Sequence, residues 1–134
     1  MRKLFRLLAN ILFFIFGQLW ITAIYDRNYT QGDYFKFGGN GYRWVCRDGP
    51  AQLCKRINAG VPWPVSPRMD VTGWMNISFD LDDLHIFQMS GVYISAMNAE
   101  LSIGKGIWIA PNVGIVTTNH NLDDLTQHDV GKEI

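Results

Sequence analysis

An apolar run at the amino end, a glycine-, proline- and aromatic-rich middle, and a six-residue aliphatic step near the carboxyl end predict an all-β chain: a triangular solenoid preceded by one hydrophobic helix. The 134 residues, 48% hydrophobic and 13% aromatic, are enough for a packed domain and exclude disorder. Twelve Lys and Arg residues balance twelve Asp and Glu residues, so no overall field favours nucleic acid. Cys46 and Cys54 are too far apart for a CxxC redox pair and complete no zinc spacing. They read as ordinary thiols, since a disulfide between them needs an oxidising compartment.

Residues 1–25 form the first segment. From Leu4 to Tyr25 the chain is almost wholly apolar, and Leu7 to Tyr25 carries no charge. That just meets the length of about 20 apolar residues that crosses a bilayer as a helix. Arg2, Lys3 and Arg6 stand in front of it, which holds the amino end in the cytoplasm. Several readings compete. A cleaved signal peptide has the right basic start, but Ile21-Thr22-Ala23 is a poor cleavage match. A single span puts the remainder outside the cell. A helix lying in the inner leaflet places Trp20 and Tyr25 at the headgroups. Against all of these stands a helix packed on a partner subunit, because Asn10 and Gln18 are costly in lipid unless paired.

Residues 26–70 read as an irregular segment with a short helix. Gly38-Gly39-Asn40-Gly41 is a turn signal, and the prolines of Val61 to Pro67 exclude helix interior. Between them, Gly49 to Asn58 predicts one or two helical turns ending near Gly60. Trp44, Trp63 and Trp74 suit either a stacked sugar or the anchoring of loops onto a core, the commoner use. Arg43, Arg47, Lys55, Arg56 and Arg68 suit an anionic acceptor or, more simply, a solvated surface. The tripeptides beginning at Asn28 and Asn76 match the glycosylation pattern but are too short to assign a function.

Residues 71–134 carry the step. Ile103, Ile109 and Ile115 recur at intervals of six, and Leu101, Ile107 and Val113 form a second series in phase with them. Gly104 and Ala110 directly follow two of those isoleucines, which neither a helical nor a simple strand period explains. Six-residue sides with one inward aliphatic and a tight corner explain both. Val71 to Ser78 and Gly91 to Asn98 read as earlier, less regular coils. The acidic loop of Asp80, Asp82 and Asp83 between them reads as a solvated turn rather than a cation site, and His85 as a structural or surface histidine.

At Ile103 to His120 the sequence IGKGIWIAPNVGIVTTNH resembles the hexapeptide-repeat O-acetyltransferases, a family that includes maltose, galactoside and serine acetyltransferases and many capsule and exopolysaccharide-modifying enzymes. IAPNVG followed by TTNH is the specific part, and the resemblance covers about residues 70–134. It implies an all-β left-handed parallel β-helix, a homotrimer with sites between subunits, and transfer of an acetyl group from acetyl-CoA, a co-substrate rather than a bound cofactor, to a hydroxyl of a sugar or polysaccharide precursor. The cytosolic coenzyme implies a place at the inner face of the cytoplasmic membrane. By the same resemblance His120 is the catalytic base. An imidazole suits the task, since it can accept the proton of a weakly nucleophilic hydroxyl and return it to the leaving thiol. Asn119 and Asn121 would orient the imidazole or the acceptor, Asn98 would face the same cleft, and His128 in the following loop is a rival base. No metal is implied: a γ-carbonic-anhydrase-like relative needs three zinc-binding histidines, and His85, His120 and His128 lack the spacing.

A further coil is expected where the sequence reaches Gly131-Lys132-Glu133-Ile134. The β-helix therefore reads as incomplete, and a noncatalytic subunit or remnant that binds a complete homologue is the alternative to an active acetyltransferase.

Overall fold

A computed structural model describes residues 1–121, 123, 126 and 128–130, and for positions 120, 128 and 130 the main chain alone. The chain divides into two units, Met1–Pro67 and Arg68–Ile134.

In the first unit, helix α1 spans Arg2–Ile24, the whole uncharged apolar run with its basic start. It ends at Tyr25, whose extended backbone still donates its N–H to the carbonyl of Ile21. Asp26 then caps a 3-10 turn over Arg27–Tyr29 by accepting the Asn28 N–H, and a second such turn covers Asp33–Phe35. Helix α2 spans Gly41–Leu53. It begins well before the turns expected after Gly49, because two residues that read as breakers are contact points. A Cβ on Gly49 would sit 2.8 Å from the Trp20 ring, and one on Gly41 2.8 Å from the Tyr34 carbonyl. Gly17 does the same service on α1, where a Cβ would lie 2.8 Å from Tyr42 Cδ1. Gly17 and Gly49 cost helix propensity but let the two helices approach closely, while Gly41 lets the start of α2 approach the turn at Tyr34. Around that contact Ile21, Tyr42, Val45, Trp63 and Val65 are buried.

Among the described residues the second unit holds seven strands of three residues each: β1 Asp70–Thr72, β2 Ile77–Phe79, β3 Tyr93–Ser95, β4 Leu101–Ile103, β5 Gly114–Val116, β6 Thr118–His120 and β7 His128–Val130. They form three small sheets: parallel β1-β3-β5, parallel β2-β4, and antiparallel β6-β7. Val71, Ile94 and Ile115 lie in register across the first sheet, while Ile77 faces Leu101 and Phe79 faces Ile103 in the second. Gly73, at φ +68° with a would-be Cβ 2.4 Å from the Ala96 carbonyl oxygen, is the turn that leaves β1. Between β2 and β3 a 3-10 segment, Leu81–Gln88, buries Leu84, Ile86 and Phe87, and Phe87 meets Phe79 edge-on at 4.7 Å.

These elements correct the fold expected from the repeat. The chain is not an all-β left-handed parallel β-helix, and a hexapeptide-repeat solenoid does not describe it. Helices of 23 and 13 residues outweigh strands that never exceed three, and the strands form separate small sheets, one of them antiparallel. The physical reason lies in what a spacing encodes. The step from Ile103 through Ile109 to Ile115 fixes which residues turn inward, and Ile103 and Ile109 are indeed buried. It leaves open which strands pair. Ile103 and Ile115 belong to different sheets, and Ile109 lies in the connection between β4 and β5.

Candidate functional site

Four of the five sequence-predicted residues, Asn119, His120, Asn121 and His128, fall on one hairpin, and Asn98 does not. Strand β5 leads into β6 through Thr117, which is buried, and whose N–H and hydroxyl both donate to the Ser95 carbonyl, at 3.0 and 3.4 Å. This fixes the chain where it leaves the parallel sheet. Strands β6 and β7 then pair so that Asn119 faces Asp129 and His120 faces His128. The base expected from the resemblance and its rival are therefore cross-strand neighbours, at the Cα separation of about 4.5–5.5 Å that such pairs have. Their side chains, and residues 122, 124, 125 and 127 of the loop between them, lie outside the described residues.

Asn121 closes this hairpin. Its Nδ2 donates to Asp129 Oδ1 at 2.9 Å, and its Oδ1 accepts the Asp123 N–H at 2.8 Å. That is an Asx turn with a cross-strand tie, the local chemistry by which asparagine starts a loop. Asn119 is exposed beside it. Asn98 is exposed on the bend between β3 and β4 and is not part of the hairpin. Asp129 and Thr117, which hold the hairpin in place, were not singled out by sequence reasoning. Thr117 belongs to the TTNH step but carries no role there, Asp129 lies beyond the repeat, and only the fold brings both to the hairpin.

Ahead of the hairpin an apolar groove of about 520 Å³ runs along β4 and β5, lined by Leu101, Ile103, Ile107, Ile109, Ile115 and Val116.

The acidic loop is tied down. Asp83, buried, accepts the Gly106 N–H at 2.6 Å, and Lys105 Nζ lies 3.1 Å from Asp80 and 3.7 Å from Asp82. The Asp82 N–H and the Lys105 ammonium hold the Asp80 carboxyl below its ordinary range, and Asp80 in turn raises Lys105. Among the described residues no group of three or more His, Cys, Asp and Glu side chains is placed to hold a metal ion. His85 is buried and packs on the Trp108 ring at 4.3 Å. In the first unit Trp63 is fully buried against Tyr29, and Trp44 packs on Tyr34.

Helix α1 is long and apolar enough to cross a membrane, and among its residues only Gly17 and Ile21 are buried. Comparisons with protein families, with curated proteins and with solved structures return no match to this chain.

Proposed function

We propose that the chain is a membrane-associated O-acetyltransferase that moves an acetyl group from acetyl-CoA to a sugar hydroxyl, with His120 as the general base. The observation that carries the reading is the hairpin: the resemblance ends on His120, and the register sets that residue opposite a second histidine on a turn closed by Asn121 and Asp129. In the proposed step the imidazole takes the hydroxyl proton as the oxygen attacks the thioester carbonyl. The C–S bond then breaks, and the thiolate leaves with the proton returned by the imidazole. The groove along β4 and β5 supplies an apolar wall for the acyl end of the donor. Association through α1, together with a cytosolic donor, puts the protein at the inner face of the cytoplasmic membrane.

The test is transfer of labelled acetyl from acetyl-CoA to a panel of sugars. General-base catalysis contributes roughly 10²–10⁴-fold, so His120→Ala is expected to lose activity on that scale. Activity untouched by His120→Ala removes it as base. A second reading is favoured by the outer edges of β4 and β5 beside the groove, which pair with no further strand among the described residues: a noncatalytic subunit whose apolar face is covered by another chain. Silence of the unaltered chain with every sugar, together with a stable complex with a complete acetyltransferase, selects it.

A further inference from the structure

α2 lies against α1 along most of its length, and both run the same way. Asn10 Oδ1 accepts from Arg43 at 3.0 Å, the Phe14 ring meets Tyr42 at 5.0 Å, the Trp20 ring packs on Gly49, and the Tyr25 hydroxyl reaches Gln52 at 2.7 Å. Two polar side chains of α1 reach this contact: Asn10 is held by Arg43, and Gln18 Nε2 donates to the Tyr42 hydroxyl at 3.2 Å. The objection to lipid raised by Asn10 and Gln18 is thereby met. At 3.6 residues per turn, Lys3, Arg6, Asn10, Phe13, Gly17 and Ile21 share one side of α1, which α2 covers from Asn10 onward. On the opposite side Leu4, Phe5, Leu8, Leu12, Phe16 and Leu19 are each more than half exposed.

That arrangement is incompatible with α1 crossing a bilayer. A hydrocarbon core of about 30 Å takes up roughly 20 helical residues, so a spanning α1 would carry α2 into the core beside it. The exposed Arg43 and the partly exposed Arg47, paired with buried Asp48, would lie at membrane depth, where lipid supplies nothing in place of the water around the two guanidinium groups. Laid flat, the same pair of helices has no such conflict.

We infer that α1 lies in the plane of an anionic lipid leaflet, its Leu4-to-Leu19 face in the acyl chains and its Lys3-Arg6 side, with α2, at the headgroups and water. The inference rests on the membrane-association reading above and commits it to one side of the bilayer. Charge supports an anionic surface: Arg2, Lys3 and Arg6 stand at the start of a helix that contains no acidic residue.

The experiment adds the intact chain to preformed sealed vesicles of phosphatidylcholine with or without phosphatidylglycerol, floats them, and treats the outside with a membrane-impermeant amine reagent. Lys3 precedes the apolar run and Lys55 follows α2 beyond it, and both are native. Flotation with both lysines modified is the expected result. Flotation with one of the two protected means a span and overturns the inference while leaving membrane association intact. No flotation on either vesicle overturns the membrane reading itself. The Arg2→Gln/Lys3→Gln/Arg6→Gln chain should bind anionic vesicles about a hundredfold less tightly, three surface charges being worth that much. Equal binding to neutral vesicles, unchanged in this variant, overturns the anionic preference.

Discussion

The Tyr25 hydroxyl donates to Gln52 Oε1 at 2.7 Å, and through that one bond the end of α1 is tied to the last turn of α2. The same oxygen accepts the Val65 N–H at 3.3 Å, while Gln52 Nε2 is shared among the carbonyls of Asn58, Val61 and Trp63 at 3.2–3.3 Å. The proline-bearing segment from Val61 to Pro67 belongs to no helix or strand, so this buried amide supplies partners that a sheet would otherwise provide.

Gln52→Leu should therefore destabilise the first unit by about 3 kcal/mol or more, since it keeps the bulk but orphans the Tyr25 hydroxyl and the Val65 N–H in the core. Tyr25→Phe removes one donor and should cost about 1 kcal/mol. Urea unfolding followed by tryptophan fluorescence reads both. Equal losses would mean the network acts only through the tyrosine.

Burial, and after it the charge of Asp48, raises the Tyr25 phenol well above its ordinary value. A raised acid favours the protonated form in the folded state, so its contribution is complete below the unfolded value of about 10 and is lost as pH climbs above it. Stability attributable to this group should be flat from pH 8 to about 10 and fall beyond. Tyr25→Phe should remove that part of the alkaline slope, measured as unfolding midpoints across pH.

Gly49→Val should cost about 2 kcal/mol or more, because its side chain would enter the Trp20 ring, whose atoms lie 2.8 Å from a Cβ at that position. A helix-propensity effect alone would make the same change neutral or favourable. The sign of the shift in thermal midpoint thus decides between close approach and mere tolerance of glycine.

In the second unit, Asp83→Ala is expected to cost about 1–3 kcal/mol by leaving the Gly106 N–H without its acceptor. Lys105→Ala, with its exposed ammonium, should change stability far less than Asp83→Ala, because solvent screens the pair with Asp80. The Asp80 carboxyl is depressed, so whatever it adds is present above its unfolded value near 4 and is lost as pH falls below. Chemical denaturation at pH 7 and pH 3 tests the order.

The sequence made α1 legible, because an uncharged run of that length has few other outcomes. It shows a short helix between Gly41 and Val61 but places its start at Gly49 rather than Gly41, since Gly41, Gly49 and Pro50 are breakers by propensity and only the neighbouring Trp20 and Tyr34 explain the glycines. The aliphatic step marks Ile103 and Ile109 as inward, although Ile107 of the second series is exposed, and it predicts a solenoid that does not form, because periodicity says nothing about which backbone pairs with which. The Leu81–Gln88 segment, with its three fully buried apolar side chains, was obscured by the acidic residues around it. For the candidate site, His120 and His128 stood out as residue types, whereas their cross-strand register and the Asn121–Asp129 tie depend on a pairing no local pattern announces.

The Gln52 amide gives an irregular stretch of chain the kinetics of a helix. Because the Val65 N–H is bound to a side chain of α2, it can exchange with solvent only when that turn opens, so its protection should match that of the last α2 amides. Val65 then becomes a reporter, in hydrogen exchange, of an event thirteen residues upstream.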